Sequence, residues 1–245
     1  FTTIVDHFDN DHWAIDNVGD KLLVYTNYEA PKYKLILVDP KKPEPKDWID
    51  LIPESEDLLE GVSILANKIV VTYQHDVVSQ VVTFDMEGNR LGELELPGLG
   101  TAKGFAGEKS DSISFFRFSS FTSPSAVYKY NAVSNTAELY RKSSCKFNSD
   151  EYETKQVFYA SADGTNIPMF ITGKKGFSTT GDNPVFLYGY GGFNISNSPR
   201  FSIDKAMFME QGGLFAVANL RGGGEYGEEW HKAGTKCKKQ NVFDD

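Results

Sequence analysis

The chain has little that would serve a metal centre, a redox couple or a membrane. It contains two cysteines, Cys145 and Cys237, far apart and in no metal-binding or redox spacing. A disulfide framework is therefore not expected, and the composition suits a reducing, cytoplasmic compartment, with an exported form left open. No apolar run approaches the roughly 20 residues of a membrane-spanning helix, so no membrane association is expected. Positive charge is also scarce: 25 Lys and Arg against 34 Asp and Glu give a net charge of -9 and a pI near 5.0. Its two basic clusters, Lys41 to Lys46 and Lys236 to Lys239, read as solvated surface, and no nucleic-acid partner is expected, because phosphate backbones want clustered cations. A starting methionine is missing too. The opening Phe1-Thr2-Thr3-Ile4-Val5 reads as the interior of a longer protein, not as a leader.

With 40% hydrophobic and 13% aromatic residues in 245 positions, there is enough apolar material for one large domain or two ordinary ones. Up to about residue 150 the pattern is short strand-like runs separated by turn signals. Three such runs end in an acidic or amide residue, Asp39, Asp85 and Asn131, at equal intervals of 46 residues (39, 85, 131). Each is preceded by a run (Lys21 to Thr26, Lys68 to Tyr73, Ile113 to Phe118) and a loop (Asn27 to Lys32, Gln74 to Ser79, Ser119 to Ser125). A further run follows (Trp48 to Ile52, Arg90 to Leu96, Glu138 to Arg141), and one more stands at the front of each unit (Trp13 to Asn17, Gly61 to Leu65, Thr101 to Phe105). Four strands in about 40 to 50 residues is the period of a β-propeller blade. A β-sandwich also has closely spaced strands, but gives no reason for a constant four-strand period. Three blades cannot close a propeller, so more are expected before Phe1.

From residue 151 onward the pattern changes. Lys155 to Ala160 and Ile167 to Thr172 flank an Asp163-Gly164 hairpin signal. A central, buried strand is expected over Val185 to Tyr188, a helix over Ser202 to Gln211 stopped by Gly212-Gly213, and an apolar strand over Leu214 to Leu220. A strand, helix, strand succession implies a parallel crossover. A hairpin entering such a sheet is how α/β-hydrolase domains begin.

The richest stretch is Val185-Phe-Leu-Tyr-Gly-Tyr-Gly-Gly-Phe-Asn194, where an apolar strand breaks into glycines interleaved with Tyr190 and Phe193. In open α/β sheets ligands bind at the carboxyl ends of strands. Tyr190 is either a ring packed beneath a glycine turn or a phenol that donates to an oxyanion. Gly222, Gly224 and Gly227 formally match a dinucleotide fingerprint. Glu225 would set a carboxylate beside the pyrophosphate and no second strand follows, so no nucleotide cofactor is expected. A Gly-x-Ser-x-Gly elbow is absent, and His231, in a helical turn after Glu228 and Glu229, reads as a surface or capping residue. The serine, acid and histidine of a triad would lie beyond Asp245.

Three long strings, Tyr188 to Ser196, Ala218 to His231 and Lys239 to Asp245, resemble the prolyl oligopeptidase family. The repeat region and Asp163 to Phe170 are similar to that family as well. The resemblance implies that residues 1-150 are the last three to four blades of a seven-bladed β-propeller and residues 151-245 the N-terminal part of an α/β-hydrolase domain. It implies a serine endopeptidase that cleaves short peptides after proline without metal or organic cofactor. Tyr190 matches the oxyanion-hole tyrosine and Phe193 an aromatic of the substrate pocket, while the Arg221-Gly string looks like a structural turn. Its partners would be short proline-containing peptides and the rest of the same polypeptide, without which the chain is expected to be inactive. The other expectation left standing is a non-catalytic propeller module with a hydrolase remnant.

Overall fold

A computed structural model describes residues 2–245. Twelve strands form three antiparallel sheets in strict sequence order. The first holds β1 (His12–Val18), β2 (Lys21–Thr26), β3 (Lys34–Val38) and β4 (Ile49–Ile52). The second holds β5 (Leu58–Leu65), β6 (Lys68–His75), β7 (Val78–Phe84) and β8 (Arg90–Leu94). The third holds β9 (Thr101–Gly104), β10 (Ile113–Ser119), β11 (Ala126–Asn131) and β12 (Thr136–Arg141). The four-strand period read from the sequence is the period of the sheets.

The 46-residue repeat has a local cause. Asp39, Asp85 and Asn131 stand at the turn into the last strand of each sheet, and each Oδ1 accepts the backbone N–H two residues on, from Lys41, Glu87 and Val133. A side chain that mimics a backbone turn in this way fixes the reversal of the chain, which is why the same residue class recurs at each reversal.

Adjacent sheets share their cores. Leu23, Leu35 and Ile52 of the first pack with Leu59, Ile69 and Phe84 of the second, and Leu65, Val70 and Val81 of the second pack with Phe105, Phe116 and Tyr130 of the third. Each sheet is too thin to bury its faces alone, so stacking supplies the burial.

One expected loop is shorter than the sequence suggested. The Gln74 to Ser79 segment is mostly strand, with only Asp76 and Val77 turning at φ 44° and 70°. Positive φ is costly for a branched residue such as Val77. Burial offsets it, because Val77 is 1% exposed in a cluster with Phe121, Tyr152, Phe170, Met209 and Phe215. That hairpin tip joins the propeller-like part to the rest: Gln156 Nε2 donates to Asp76 O at 2.7 Å and the Tyr226 hydroxyl donates to Asp76 Oδ1 at 2.9 Å.

The fourth sheet runs β13 (Tyr152–Ala160), β14 (Asn166–Lys174), β16 (Leu214–Ala218), β15 (Val185–Gly189). β13 and β14 form the expected antiparallel hairpin, and β15 runs parallel to β16 across α1 (Ile203–Glu210). β16 is buried throughout. β15 departs from expectation: it is the edge strand here, and Val185 to Tyr188 are 41 to 63% exposed. Its apolar run suits a strand covered on both faces, but among the described residues it pairs along one edge only and its side chains are largely uncovered.

Candidate active site

Tyr190 follows β15 directly, at the carboxyl end of a parallel pair. It is 44% exposed and lines a cleft of about 1050 Å³. Thr101, Lys103, Arg117 and Ser119 of the third sheet form part of the lining, and Tyr188, Ile195, Arg200 and Phe201 form part of the other side. The ring is therefore not packed beneath its own turn. Phe193 is 83% exposed with its ring 6.5 Å from that of Tyr190, and it lies beside the cleft and not in its lining.

The loop carrying these rings is held in an unusual backbone. Gly191, Phe193 and Asn194 all have φ between 55° and 61°, a region that costs a non-glycine residue on the order of 1 kcal/mol or more. Such a conformation persists only if its surroundings dictate it. Lys239 Nζ donates to Gly191 O at 2.6 Å. The Asn194 N–H reaches Gly222 O at 3.2 Å, and His231 Nδ1 lies 2.8 Å from the same carbonyl. With Nδ1 protonated, the ring and the Asn194 N–H both donate to Gly222 O, and the 3.1 Å approach of that N–H to Nδ1 is then not a hydrogen bond. Neither brace is legible in the sequence, where Lys239 sits in a basic cluster that reads as solvated surface and His231 reads as a surface or capping residue.

The Gly222-Gly223-Gly224 string serves the same loop. A Cβ on Gly222 would meet Gly191 O at 2.7 Å, one on Gly223 would meet Ile195 O at 2.9 Å, and one on Gly224 would meet Asn194 O at 2.6 Å. The glycines let two backbones touch, and that contact fills the space a pyrophosphate would need.

Glu225 is buried under this loop, where its Oε1 accepts the Asn197 N–H at 2.9 Å and Asn219 Nδ2 at 3.2 Å. Its Oε2 has no partner among the described residues. Desolvation raises its pKa above the usual carboxylate value, against the lowering effect of those hydrogen bonds. A raised folded pKa gives stability that is present below the unfolded value and lost as the pH rises through the folded one. Glutamine cannot ionise, so Glu225→Gln is expected to gain stability relative to the native protein as pH goes from about 4 to 7. Urea midpoints at several pH values read this; a constant gap would mean the carboxylate is not desolvated.

His231 apart, the other histidines lie in the propeller-like sheets or ahead of them, and no cluster of three or more His, Cys, Asp or Glu that could hold a metal is found among the described residues. Cys145 and Cys237 are both free.

A fan of four-stranded sheets set against a mixed α/β sheet, with a ligand-sized cleft at the junction, defines a propeller-hydrolase architecture. Residues 1–143 match the family described as "Prolyl oligopeptidase, N-terminal beta-propeller domain", and residues 199–245 match "Prolyl oligopeptidase family". The prolyl endopeptidase of Elizabethkingia miricola is 42% identical over 245 residues, 100% of this chain and 35% of that protein. The prolyl endopeptidase of Dictyostelium discoideum is 39% identical, across 99% of this chain and 34% of that protein. A solved prolyl endopeptidase structure superimposes with a TM-score of 0.92 at 38% identity, covering 98% of this chain and 36% of that one. The chain belongs to the prolyl oligopeptidase family and spans about a third of the length of the curated relatives it matches.

Proposed function

We propose that the chain is the middle portion of a serine endopeptidase that cleaves short peptides on the carboxyl side of proline. One observation carries this reading: Tyr190 stands half exposed at the carboxyl end of a parallel strand, on a cleft walled on its other side by the propeller. Attack on a peptide carbonyl puts negative charge on its oxygen, and a phenolic O–H held in place beforehand stabilises that charge without reorganising. The braces from Lys239 and from His231 with Gly222 support such a preset position. Phe193 offers an exposed aromatic face next to the phenol for a substrate side chain.

In this reading the serine, aspartate and histidine come from the remainder of a longer polypeptide. The exposed apolar side chains of β15 and the one-third span against relatives support that assignment. Propeller blades over the cleft restrict access to short peptides, and acyl transfer of this kind requires no metal or organic cofactor.

The test uses the complete protein and two short peptides differing only in Pro or Ala before the scissile bond. Hydrolysis of the proline peptide alone, abolished by a serine-directed fluorophosphonate, is expected. Equal cleavage of both, or of neither, overturns the proposal.

A further inference from the structure

The cleft carries cations that the reaction itself does not require. Lys103 on β9 and Arg117 on β10 are direct cross-strand partners, so both project from one face of the third sheet. Like charges set opposite each other destabilise a sheet. Two residues along on that face, Thr101 and Ser119 are partners as well, and they grip the opposite wall. Thr101 Oγ1 donates to Pro199 O at 2.8 Å, and the Phe201 N–H donates to Ser119 Oγ at 3.1 Å. Those two bonds bracket Arg200 and fix its backbone beside the Lys103–Arg117 pair.

Lys205, whose ammonium is paired with Asp204, lines the cleft that Tyr190 lines, and so do Lys103, Arg117 and Arg200. Their charge is barely compensated. Lys103 approaches Glu60 only at 3.9 Å, and neither Arg117 nor Arg200 has a carboxylate partner among the described residues. Asp204 is the single acid in the lining, and it is occupied by Ser202 and by Lys205 at 2.8 Å. In a chain of net charge -9, the lining of this cleft carries more cations than acids, and a cleft focuses such a field on whatever enters.

We propose that Lys103, Arg117 and Arg200 form a carboxylate-binding subsite that selects peptides carrying a negative charge, from a free C-terminus or an acidic side chain. The subsite rests on the peptide reading of the Tyr190 cleft and adds a substrate class to it. Guanidinium groups suit the role because their fork matches a carboxylate's two oxygens.

The experiment measures binding to the complete protein by fluorescence anisotropy, using labelled proline peptides whose bond after proline is replaced by a reduced, uncleavable one. Four probes are compared: a free C-terminal acid, its amide, an amide with an internal Glu, and the same amide with Gln. The acid is expected to bind about tenfold tighter than its amide at low salt, the Glu amide tighter than the Gln amide, or both. The arm that responds identifies the source of the charge. The preference should shrink as ionic strength rises past about 0.1 M, and the acid-to-amide or Glu-to-Gln ratio should fall several-fold in Arg117→Gln and in Arg200→Gln. Equal affinity for all four probes overturns the subsite, as does a preference that survives both substitutions unchanged. If one variant does not fold, the other and the salt series decide. Failure to cleave the proline peptide would sink the peptidase reading, while this comparison, which needs no turnover, still decides the subsite.

Discussion

Replacing Tyr190 with phenylalanine in the complete protein is expected to lower kcat by about 10² to 10³, with KM changed little. The change removes one oxygen and leaves the ring, so the cleft lining and the glycine loop keep their shape. In the proposed role, what is lost is a donor whose partner oxygen would carry full charge only in the transition state, and interactions made only there act on kcat. The magnitude depends on position as much as on chemistry. A phenol free to swing would spend the gain on ordering itself, but here Gly191 O is held by Lys239 Nζ, and Asn194, four residues past the phenol, by Gly222 O. The expensive φ values of Phe193 and Asn194 are what that hold costs. Parallel kcat and KM values for the two proteins check it; a kcat within about twofold of the native value would remove Tyr190 from the chemistry and return it to the cleft lining.

Much of this arrangement was legible in the sequence because it is periodic or local. The blade period announced itself through Asp39, Asp85 and Asn131, since the Asx turn that each forms is written in a single side chain and its next two residues. The Asp163-Gly164 hairpin was equally local, with Gly164 at φ 85° and the Ser161 N–H donating to Thr165 O. Long-range pairing leaves no such local signal. Nothing near Lys239 shows that its ammonium will meet a carbonyl 48 residues earlier, and its basic neighbours pointed instead to solvent. Val185 to Tyr188 reads as a buried strand because apolarity records what a side chain is made to meet, whereas exposure depends on which elements pack over the faces of the sheet. The Gly222 to Gly224 string is ambiguous for a related reason: a glycine's lack of a Cβ admits a phosphate or another backbone equally well, and only the fold shows that residues 191 to 196 occupy the space. The Gln74 to Ser79 segment reads as loop because its polar residues mask a two-residue turn that a buried Val77 makes tolerable.

Arg221 is the site of the second large effect, and here the consequence is for stability. Its side chain is 6% exposed, and that of Asp245, which it meets through Nε at 3.0 Å and again through Nη2, is fully buried. Nη1 reaches Asp163 and Thr165, and Nη2 also reaches Ser161 Oγ at 3.2 Å. The guanidinium thus ties the β13–β14 turn to Asp245, directly after the strand that leads into the glycine string. Arg221→Met fills similar space but leaves the Asp245 carboxylate buried without its counter-charge, a loss of about 3 to 5 kcal/mol when one partner of a buried pair is removed. Arg221→Lys keeps the charge and forfeits the fork, so it is expected to fall between the two. The pair with Asp163 adds a pH signature, because Arg221 holds that exposed carboxyl well below the usual carboxylate range. A depressed folded pKa contributes stability that is present above the unfolded value, near 4, and lost as the pH falls through the folded one. Urea transitions should therefore soften below about pH 4 in the native protein and less so in Arg221→Met. If Arg221→Met leaves the transition at neutral pH where it was, the Arg221-Asp245 pair does not hold this corner together, and the braced loop that presents Tyr190 needs another foundation.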